Sequence, residues 1–346
     1  MRSGIVWESH LRAKPPCVET AFAALTLAFV ALALGCSESR NLGSTVPRGQ
    51  LPVDYRNPIL ITNDGAFDNW QGEYAVLLAN GGGPKLAGIV VNTSPNWPNL
   101  DTNVAGWRAL VQAARDSGLR DIPDPISSSG PPLSQPASGR VGDTTPNRSE
   151  GAHLIIETSM TLSQPYRPLV IVTGGRLTDV ADAYLMDPTV AERVVVVASL
   201  GSTTAAGAAM GPPNGEMDPW ADAIVTANFS FIQVSAFYDQ TADASPSLLA
   251  DRPANAFGDW IAAKQPMIWN LAQAADQVGV VAVGIPSFVT QIESVSVAGP
   301  IGTGANAGPD LLSDRSGSLT LVTGSAGAAA TARFWQLLLD PTTFQP

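Results

Sequence analysis

Residues Ile59 to Trp70 read I-L-I-T-N-D-G-A-F-D-N-W, and this stretch decides the fold. Its apolar opening predicts a buried strand, and the residues from Trp70 onward place apolar side chains at helical spacing. In an open α/β sheet, ligands bind just beyond the carboxyl ends of the strands. Asp64, Asp68 and Asn69 follow the predicted strand, so their side chains are suited to hold a hard cation or the hydroxyls of a sugar.

Strand and helix patterns alternate along the rest of the chain. Further strands are predicted at residues 85–91, 169–172, 193–198, 229–234, 291–297 and 318–323. Helices are predicted at residues 104–117, 154–162, 254–263 and 271–283, and another ends at residue 184. Residues 127–149 are rich in Ser, Pro and Gly and predict a long surface loop. This alternation predicts an α/β fold with an open, mostly parallel sheet and helices on both faces.

The bulk composition limits the classes of partner. With 346 residues and 45% hydrophobic content, the chain can bury a full core, as one large α/β domain or two smaller ones. Its net charge of −11 and pI near 4.6 argue against binding to nucleic acid or to an anionic membrane face. No run of Lys or Arg contradicts this.

The first 35 residues have the order of a secretory signal. Three basic residues precede an apolar run at residues 21–34, which is shorter than the ~20 residues needed to span a bilayer. The run ends at Ala33-Leu34-Gly35-Cys36, which resembles the lipobox of bacterial lipoproteins, although a small residue is more usual where Leu34 stands. An ordinary signal peptide with an incidental cysteine is the alternative.

The resulting domain plan has three parts. We expect a lipoprotein-type signal peptide at residues 1–35, a flexible tether at 36–56 and one globular domain at 57–346, with Cys36 as the lipidation site. The anchor would hold the protein at a bacterial cell membrane, facing outside the cytoplasm. Both cysteines, Cys17 and Cys36, lie before the domain, so the domain itself has no disulfide.

Four segments of the domain share their pattern with one known family. T-N-D-G-A-F-D-N at residues 62–69 stands where that family has D-x-D-P-G-x-D-D after its first strand. V-T-G-G-R-L-T-D-V-A-D-A-Y at 172–184 is similar to its G-P-L-T-N-x-A-x-A, and G-E-M-D at 215–218 matches its A-E-F-N. A-D-Q-V-G-V-V-A-V-G-I-P-S at 275–287 aligns with H-D-P-L-A-V-A and the D-P-S that follows. In this order the four segments resemble the inosine-uridine-preferring nucleoside hydrolases, which implies their α/β fold.

The resemblance implies one calcium ion at the base of a pocket. Asp64 matches a metal-ligating aspartate that also activates the attacking water, and Asp276 matches the last ligating aspartate. Asn69 stands in place of a second, bidentate aspartate, and Thr173 matches a residue that offers its backbone carbonyl. These are oxygen ligands, the kind that calcium takes in sets of about 6–8.

The resemblance also implies a ribonucleoside or a related ribosyl compound as substrate. Asp68 matches an aspartate that bonds a ribose hydroxyl, Asn96 lies near a ribose-contacting asparagine, and Glu216 and Asp218 match the Glu and Asn that grip the sugar. The implied reaction is calcium-dependent hydrolysis of the N-glycosidic bond. It passes through an oxocarbenium-like transition state, which an anionic pocket stabilises, while a carboxylate takes a proton from water.

Several departures from the family pattern favour a second interpretation. Thr62 replaces the family's first aspartate, Asn69 a charged ligand, and Ala275 a histidine that protonates the leaving base in some members. The alternative is therefore a catalytically degenerate lipoprotein that binds a nucleoside or sugar. Trp97 and Trp269 could stack on a base, as tryptophans do in some purine-selective relatives, or be ordinary partly buried aromatics.

Single residues admit other interpretations. T-N-D-G also resembles the opening of survival-protein E type nucleotide phosphatases, but Gly65 stands where that family has a second aspartate. Asp276 opens a predicted helix and could merely complement its dipole, and Asp64 and Asp68 could be loop or capping residues. Glu216 and Asp218 could be solvated turn residues in a Pro/Gly loop. Asp179 and Asp182 are expected on a solvated helix face, and the oligomeric state is left open between a monomer and a homo-oligomer.

Overall fold

The computed structural model describes residues 51–65, 70–199, 214–234, 250–268, 276–297 and 317–344. The first half of the chain contains β1 (Ile59–Asn63), α1 (Trp70–Asn80), β2 (Leu86–Val91), α2 (Leu100–Asp116), β3 (Pro125–Ser127), α3 (Glu150–Leu162) and β4 (Leu169–Gly174). The second half contains α4 (Thr178–Met186), β5 (Val194–Ser199), α5 (Pro219–Asn228), β6 (Ser230–Val234), α6 (Ala256–Ile268), α7 (Gln277–Gly284), β7 (Val289–Val297), β8 (Gly317–Ser325) and α8 (Gly327–Leu338).

The eight strands form one sheet in the order β3-β2-β1-β4-β5-β6-β8-β7. Every neighbouring pair is parallel except β7 and β8, which are antiparallel. β1 lies inside the sheet, where Thr62 is in register with Val90 of β2 and Thr173 of β4. The residues that follow β1, β2 and β4 therefore meet at one edge of the sheet, called the carboxyl edge below.

Alternate residues of the strands enter two apolar clusters, one on each face of the sheet. In β1, Ile59 and Ile61 belong to the cluster that contains residues of α1, α2, α6, α7 and α8, whereas Leu60 belongs to the cluster with α3, α4 and α5. Because both faces are covered, the central strands are buried throughout, as the continuous apolar run Val194–Ser199 shows. The predicted α/β fold, with a mostly parallel sheet and helices on both faces, is confirmed.

The predicted elements differ from the structure mainly at their ends. α2 begins at Leu100, four residues before the predicted start, because Asn99 accepts a hydrogen bond from the backbone N–H of Thr102 and caps the helix. The predicted helix at 271–283 begins outside the described residues, which contain α7 from Gln277 onward. The predicted loop at 127–149 includes a 3-10 turn at Val141–Asp143.

The predicted signal peptide and Cys36 lie outside the described residues. At the start of the described chain, Val53 is buried and Leu51 packs against the core, so core contacts begin before residue 57. Among the described helices, none has the length and apolar character needed to cross a membrane.

Candidate active site

Two carboxylates converge where β1 and β4 end. Asp64 is buried directly after β1, and Asp276 is buried directly before α7. A Cβ added to Gly175 would lie 2.9 Å from Cγ of Asp64, and one added to Gly174 would lie 2.5 Å from Cγ of Asp276. Only residues without a side chain allow this approach. The backbone at the end of β4 therefore lies against both carboxylates.

One helix holds the backbone around Asp64. Asn103 Nδ2 lies 2.7 Å from the carbonyl oxygen of Asp64, and Trp107 Nε1 donates to the next carbonyl, that of Gly65, at 3.0 Å. Asn103 and Trp107 are four residues apart on α2, which places them on the same face of the helix. Asn103 Nδ2 also lies 3.0 Å from the carbonyl oxygens of Asn92 and Trp97. Asn103 thus links the segments that follow β1 and β2.

Two amides hold the carboxylate of Asp276. Asn63 Nδ2 donates to Oδ2 of Asp276 at 3.0 Å, and Asn214 Nδ2 lies 3.4 Å from Oδ1. The orientation of each amide is fixed independently, since Asn63 Oδ1 accepts from the N–H of Gly65 and Asn214 Nδ2 donates to the carbonyl of Ser199. Each amide therefore presents N–H, not oxygen, to the carboxylate.

Asp276 is also fixed through its main chain. Ser199 Oγ donates to the carbonyl of Asp276 at 2.6 Å and accepts from the N–H of Gly279 at 3.0 Å. The side chain of Asp276 makes no capping hydrogen bond to α7. Its carboxylate is directed to the amides of Asn63 and Asn214 instead.

The side-chain and backbone oxygens at this point are of the kind that calcium binds. Asp64 and Asp276 supply carboxylates, and Thr173, whose carbonyl was predicted as a ligand, directly precedes Gly174. Within the described part of the chain, no group of three or more His, Cys, Asp or Glu side chains is placed so that it could hold a metal ion. Asn69, the other predicted ligand, lies outside that part. The described residues therefore provide part of the 6–8 oxygens that calcium takes.

Two buried hydroxyls lie in the strands beneath the carboxylates. Thr62 and Thr173 are in register in β1 and β4. Both Oγ1 atoms are buried, and neither has a hydrogen-bond partner among the residues described. A buried hydroxyl without a partner is destabilising, so a water or an ion within reach would be favoured here.

Arg176 is a cation beside these carboxylates that the sequence analysis did not single out. It follows Gly175, and its Nη2 donates to the carbonyl of Gly130 at 2.7 Å and to Oγ1 of Thr93 at 3.1 Å. Since β1 lies between β4 and the strands that precede Thr93 and Gly130, this side chain crosses over the end of β1. Burial lowers the pKa of Arg176, whereas the carboxylates of Asp179, Asp218 and Asp64 act to raise it.

The prediction that Asp179 and Asp182 lie on a solvated helix face is wrong, because both are buried. Asp179 accepts hydrogen bonds from Asn92, Ser128 and Ser149. Asp182 accepts from the backbone N–H groups of Arg148 and Ser149 and from the Ser149 hydroxyl. The segment between β3 and α3 covers α4, and these two carboxylates hold both ends of that segment.

Asp218, predicted to grip the sugar, makes contacts within the protein. Its Oδ1 accepts from the N–H of Ala221 and caps α5, and its Oδ2 accepts from the N–H of Leu133 and the hydroxyl of Thr178. Burial raises the pKa of Asp218, and the hydrogen bonds from Thr178, Leu133 and Ala221 lower it. Its role toward a sugar stays a prediction.

The other predicted sugar ligands are placed unequally. Asn96 is exposed in the turn between Ser94 and Trp97, whose backbone groups bond each other at 3.1–3.2 Å. The indole of Trp97 is half-buried, and a Cβ added to Gly65 would lie 3.3 Å from it, so this ring lies beside the segment that carries Asp64. The backbone of Glu216 belongs to the 3-10 helix Asn214–Met217.

The remaining predicted positions fall outside the described residues. These are Asp68, Asn69, Trp269 and Ala275. The residues that the sequence analysis missed are Asn63, Asn103, Trp107, Arg176 and Asn214. Asn63 and Asn214 lie inside or beside the quoted motifs, so an amide next to a candidate carboxylate was the available signal.

The fold is shared with solved structures, although no family model and no curated protein sequence matches the chain. An inosine-guanosine nucleoside hydrolase superposes with a TM-score of 0.61 at 14% identity, over 82% of this chain and 99% of that one. The inosine-uridine preferring nucleoside hydrolase of Bacillus anthracis gives 0.57 at 15% identity, over the same shares. A nucleoside hydrolase-related protein of Saccharophagus degradans associated with carbohydrate metabolism gives 0.54 at 16% identity, over 82% of this chain and 73% of that one. The chain therefore has the fold of the nucleoside hydrolases, as the four sequence segments implied.

Proposed function

We propose that the chain binds a ribonucleoside or a related ribosyl compound at the carboxyl edge and hydrolyses its N-glycosidic bond. The supporting observation is the convergence of Asp64 and Asp276 on the Gly174 to Gly175 backbone. A general base must be held within hydrogen-bond reach of the proton that it takes. The two donors from α2 give Asp64 such a fixed position.

In this mechanism Asp64 takes one proton from the attacking water, the water oxygen bonds to the anomeric carbon, and the departing base takes its proton from solvent. The sugar ring becomes positively charged as the bond to the base breaks, and the negative charges of Asp64 and Asp276 stabilise that charge. Asn63 and Asn214 keep the Asp276 carboxylate in place, so it does not need to reorganise during the reaction. Asp68, Asn96, Glu216 and Asp218 are proposed to contact the sugar.

The proposal includes a calcium ion held by Asp64, Asn69, Asp276 and the backbone carbonyl of Thr173. A bound cation supplies a water of lowered pKa and orients it. The described ligands are all oxygens, which is the chemistry that calcium requires. The substitution of Asn69 for a charged ligand predicts weaker binding than three carboxylates would give.

The test is release of free base from a panel of purine and pyrimidine nucleosides, followed by chromatography, with calcium and with a chelator. We expect release by the wild-type chain in calcium and a loss of about 100-fold or more in Asp64→Asn. Asp259→Asn is the matched control, since Asp259 is an exposed acid on α6 that pairs with Arg252. Equal release by Asp64→Asn and the wild-type chain would contradict the assignment of the base.

The second candidate is a protein that binds the same ligand without turnover. It is favoured by the two amide N–H groups at Asp276 and by Thr62 in place of an aspartate. In that case calorimetry would detect binding of a nucleoside or ribose that Gly175→Ala weakens, while no base is released from any nucleoside by either chain.

The cellular location is proposed from the sequence alone. Residues 1–35 would direct export, and Cys36 would carry a lipid that holds the domain at a bacterial cell membrane, outside the cytoplasm. Metabolic labelling with a radioactive fatty acid, compared between the wild-type chain and Cys36→Ser, tests this. Label in the wild-type chain alone is the expected result.

A further inference from the structure

The exposed large hydrophobic side chains of the described residues gather at one end of the domain. They are Tyr55, Met160, Tyr166 and Leu339. Tyr55 precedes β1, Met160 lies in the last turn of α3, Tyr166 lies in the turn that leads into β4, and Leu339 follows α8. Scattered exposed apolar residues are ordinary on a soluble protein, but a shared location requires an explanation.

That location follows from the topology. Strands β1 and β4 are parallel, so the residues before them lie at the edge opposite the candidate active site. The end of α3 lies there too, because Ser163 Oγ accepts from the N–H of Leu169, the first residue of β4. The end of α8 lies beside the turn between α1 and β2, since the side chain of Leu337 packs against Gly81. We call this end the amino edge.

Two turns at the amino edge lie side by side, and each contains the dipeptide Tyr-Arg. Asn57 Nδ2 donates to the carbonyl of Pro168, which brings together the pairs Tyr55-Arg56 and Tyr166-Arg167. The second turn is closed by two backbone hydrogen bonds between Gln164 and Arg167, and Tyr166 at its tip is 94% exposed. We name Tyr55, Arg56, Met160, Tyr166 and Arg167 the tyrosine edge.

The chemistry of the tyrosine edge suits the headgroup region of a bilayer. A tyrosine ring has an apolar body and a polar tip, and such rings concentrate at membrane–water interfaces. An arginine beside it can bond lipid phosphate with its fork of N–H donors. Arg56 forms an ion pair with Asp54, so the net charge of the two turns is the single positive charge of Arg167.

The net charge of −11 argues against attraction of the whole protein to an anionic surface. Five buried aspartates lie around the candidate site, at the far end from the tyrosine edge: Asp64, Asp179, Asp182, Asp218 and Asp276. Contact at the tyrosine edge would therefore depend on ring burial more than on charge. Such contact is weak alone and needs a second attachment.

The chain itself supplies that second attachment. Only the 14 residues from Ser37 to Gln50 separate Cys36 from Leu51. A flexible segment of this length spans about 20 Å on average. A domain of about 300 residues has a radius of gyration of about 19 Å, and hence a diameter near ~50 Å. A lipid at Cys36 would hold Tyr55 close to the membrane and leave the opposite edge beyond the average span of the tether.

From this geometry we propose that the tyrosine edge rests on the headgroup region of the membrane and that the candidate site faces away from it. The proposal rests on the predicted lipid at Cys36 and not on the proposed reaction. It makes the carboxyl edge open to ligands that arrive from the aqueous side.

The test uses the full chain, processed in a bacterial host and placed in vesicles of phosphatidylethanolamine and phosphatidylglycerol. A polarity-sensitive fluorophore is attached at Met160→Cys or, as the matched control, at Ser129→Cys in the exposed part of the carboxyl edge. Cys17 lies in the predicted signal peptide, which processing removes, and Cys36 would be acylated. The label therefore reaches only the introduced thiol. Lipids that carry a quencher then report contact.

We expect the quencher lipids to reduce the fluorescence at position 160 at least twofold and to leave position 129 unchanged. The double variant Tyr55→Ser, Tyr166→Ser should return position 160 to the level of position 129, also at high salt. Equal quenching at both positions, or quenching only at 129, overturns the proposal. Failure of the chain to stay with the vesicles overturns it too, by removing the anchor. If the fluorophore at position 160 were shielded from water in detergent and the chain had a dimeric mass, the tyrosine edge would instead be an interface with a second copy of the chain.

Discussion

Asn63 Nδ2 lies 3.0 Å from Oδ2 of Asp276, although 213 residues separate the two in sequence. The amide cannot turn its oxygen toward the carboxylate without breaking its bond to the N–H of Gly65. The contact is therefore a neutral donor bonded to a buried acid. A metal site built on carboxylates alone would have a different balance of charge at this point.

Asn63→Asp tests that balance. The variant replaces a donor with a second negative charge, so in chelator we expect the free energy of unfolding to fall by about 2 kcal/mol, the scale of a lost hydrogen bond to a charged group. Millimolar calcium should restore part of the loss, because a cation between two carboxylates offsets their repulsion. Urea unfolding with chelator and with calcium measures both effects. Asn99→Asp, at the exposed cap of α2, is the control, and equal stability of Asn63→Asp and the wild-type chain in chelator would contradict the contact.

Asn103→Ala should affect both stability and the site. The variant removes an amide whose two N–H groups lie within hydrogen-bond distance of three backbone carbonyls, that of Asp64 among them, so we expect a loss of about 2 kcal/mol in unfolding free energy. Ligand binding or turnover should fall further than the stability loss explains, because Asp64 is no longer fixed. Asn99→Ala on the same helix should cost about 1 kcal/mol and leave ligand binding unchanged. Similar ligand binding in both variants would remove Asn103 from the support of the site.

Gly175→Ala places a methyl group where only 2.9 Å is available to Cγ of Asp64. The carboxylate must move, so we expect base release, or nucleoside binding if there is no turnover, to fall at least tenfold, which is about 1.4 kcal/mol. Gly142→Ala is the matched control, since nothing lies within 4 Å of the added atom there. Base release or nucleoside binding, measured at equal folded fraction, distinguishes Gly175→Ala from Gly142→Ala. Full function in Gly175→Ala would show that Asp64 does not need its present position.

The pH dependence of the unfolding free energy should reveal the raised pKa of Asp218. Burial raises its pKa in the folded chain above the ordinary value of 3.8. The folded state then binds this proton more tightly than the unfolded state, so the contribution of Asp218 to stability decreases as the pH rises from 3.8 through the folded pKa. Asp218→Asn removes this dependence, and the difference in unfolding free energy between the two chains should shift in favour of the variant as pH increases. Chemical unfolding at a series of pH values measures the difference, and a constant difference would contradict the burial effect.

The fold, and the position of Asp64 at a strand end, could be predicted because their signals are local. An apolar run followed by Asp64 marks a strand end, and the alternation of strands and helices implies a sheet in which such ends meet. Thr173 and Asp276 were found through motifs that resemble a known family. The chain contains these signals within segments of about a dozen residues.

The supporting contacts could not be predicted because they join segments far apart in sequence. The donors Asn103 and Asn214 reach carboxyl-edge groups 39 and 62 residues away, respectively. The error at Asp179 and Asp182 has the same origin, since helical spacing does not show that a separate segment covers the helix. Ser149 bonds these two aspartates from 30 and 33 residues away. A polar residue on a helix face is exposed only if nothing else packs there.

The strand order has a consequence for synthesis. Strands β2 to β6 each join a strand already made, so the sheet can grow outward from β1 as the chain emerges. Asp276 follows all of them in sequence, and it is needed beside Asn63 and Gly174 before the site is complete. A chain still on the ribosome could thus form most of its sheet before Asp276, and with it the proposed site, is present. Any chain cut short before residue 276 would keep strands β1 to β6 but would lack the carboxylate of Asp276.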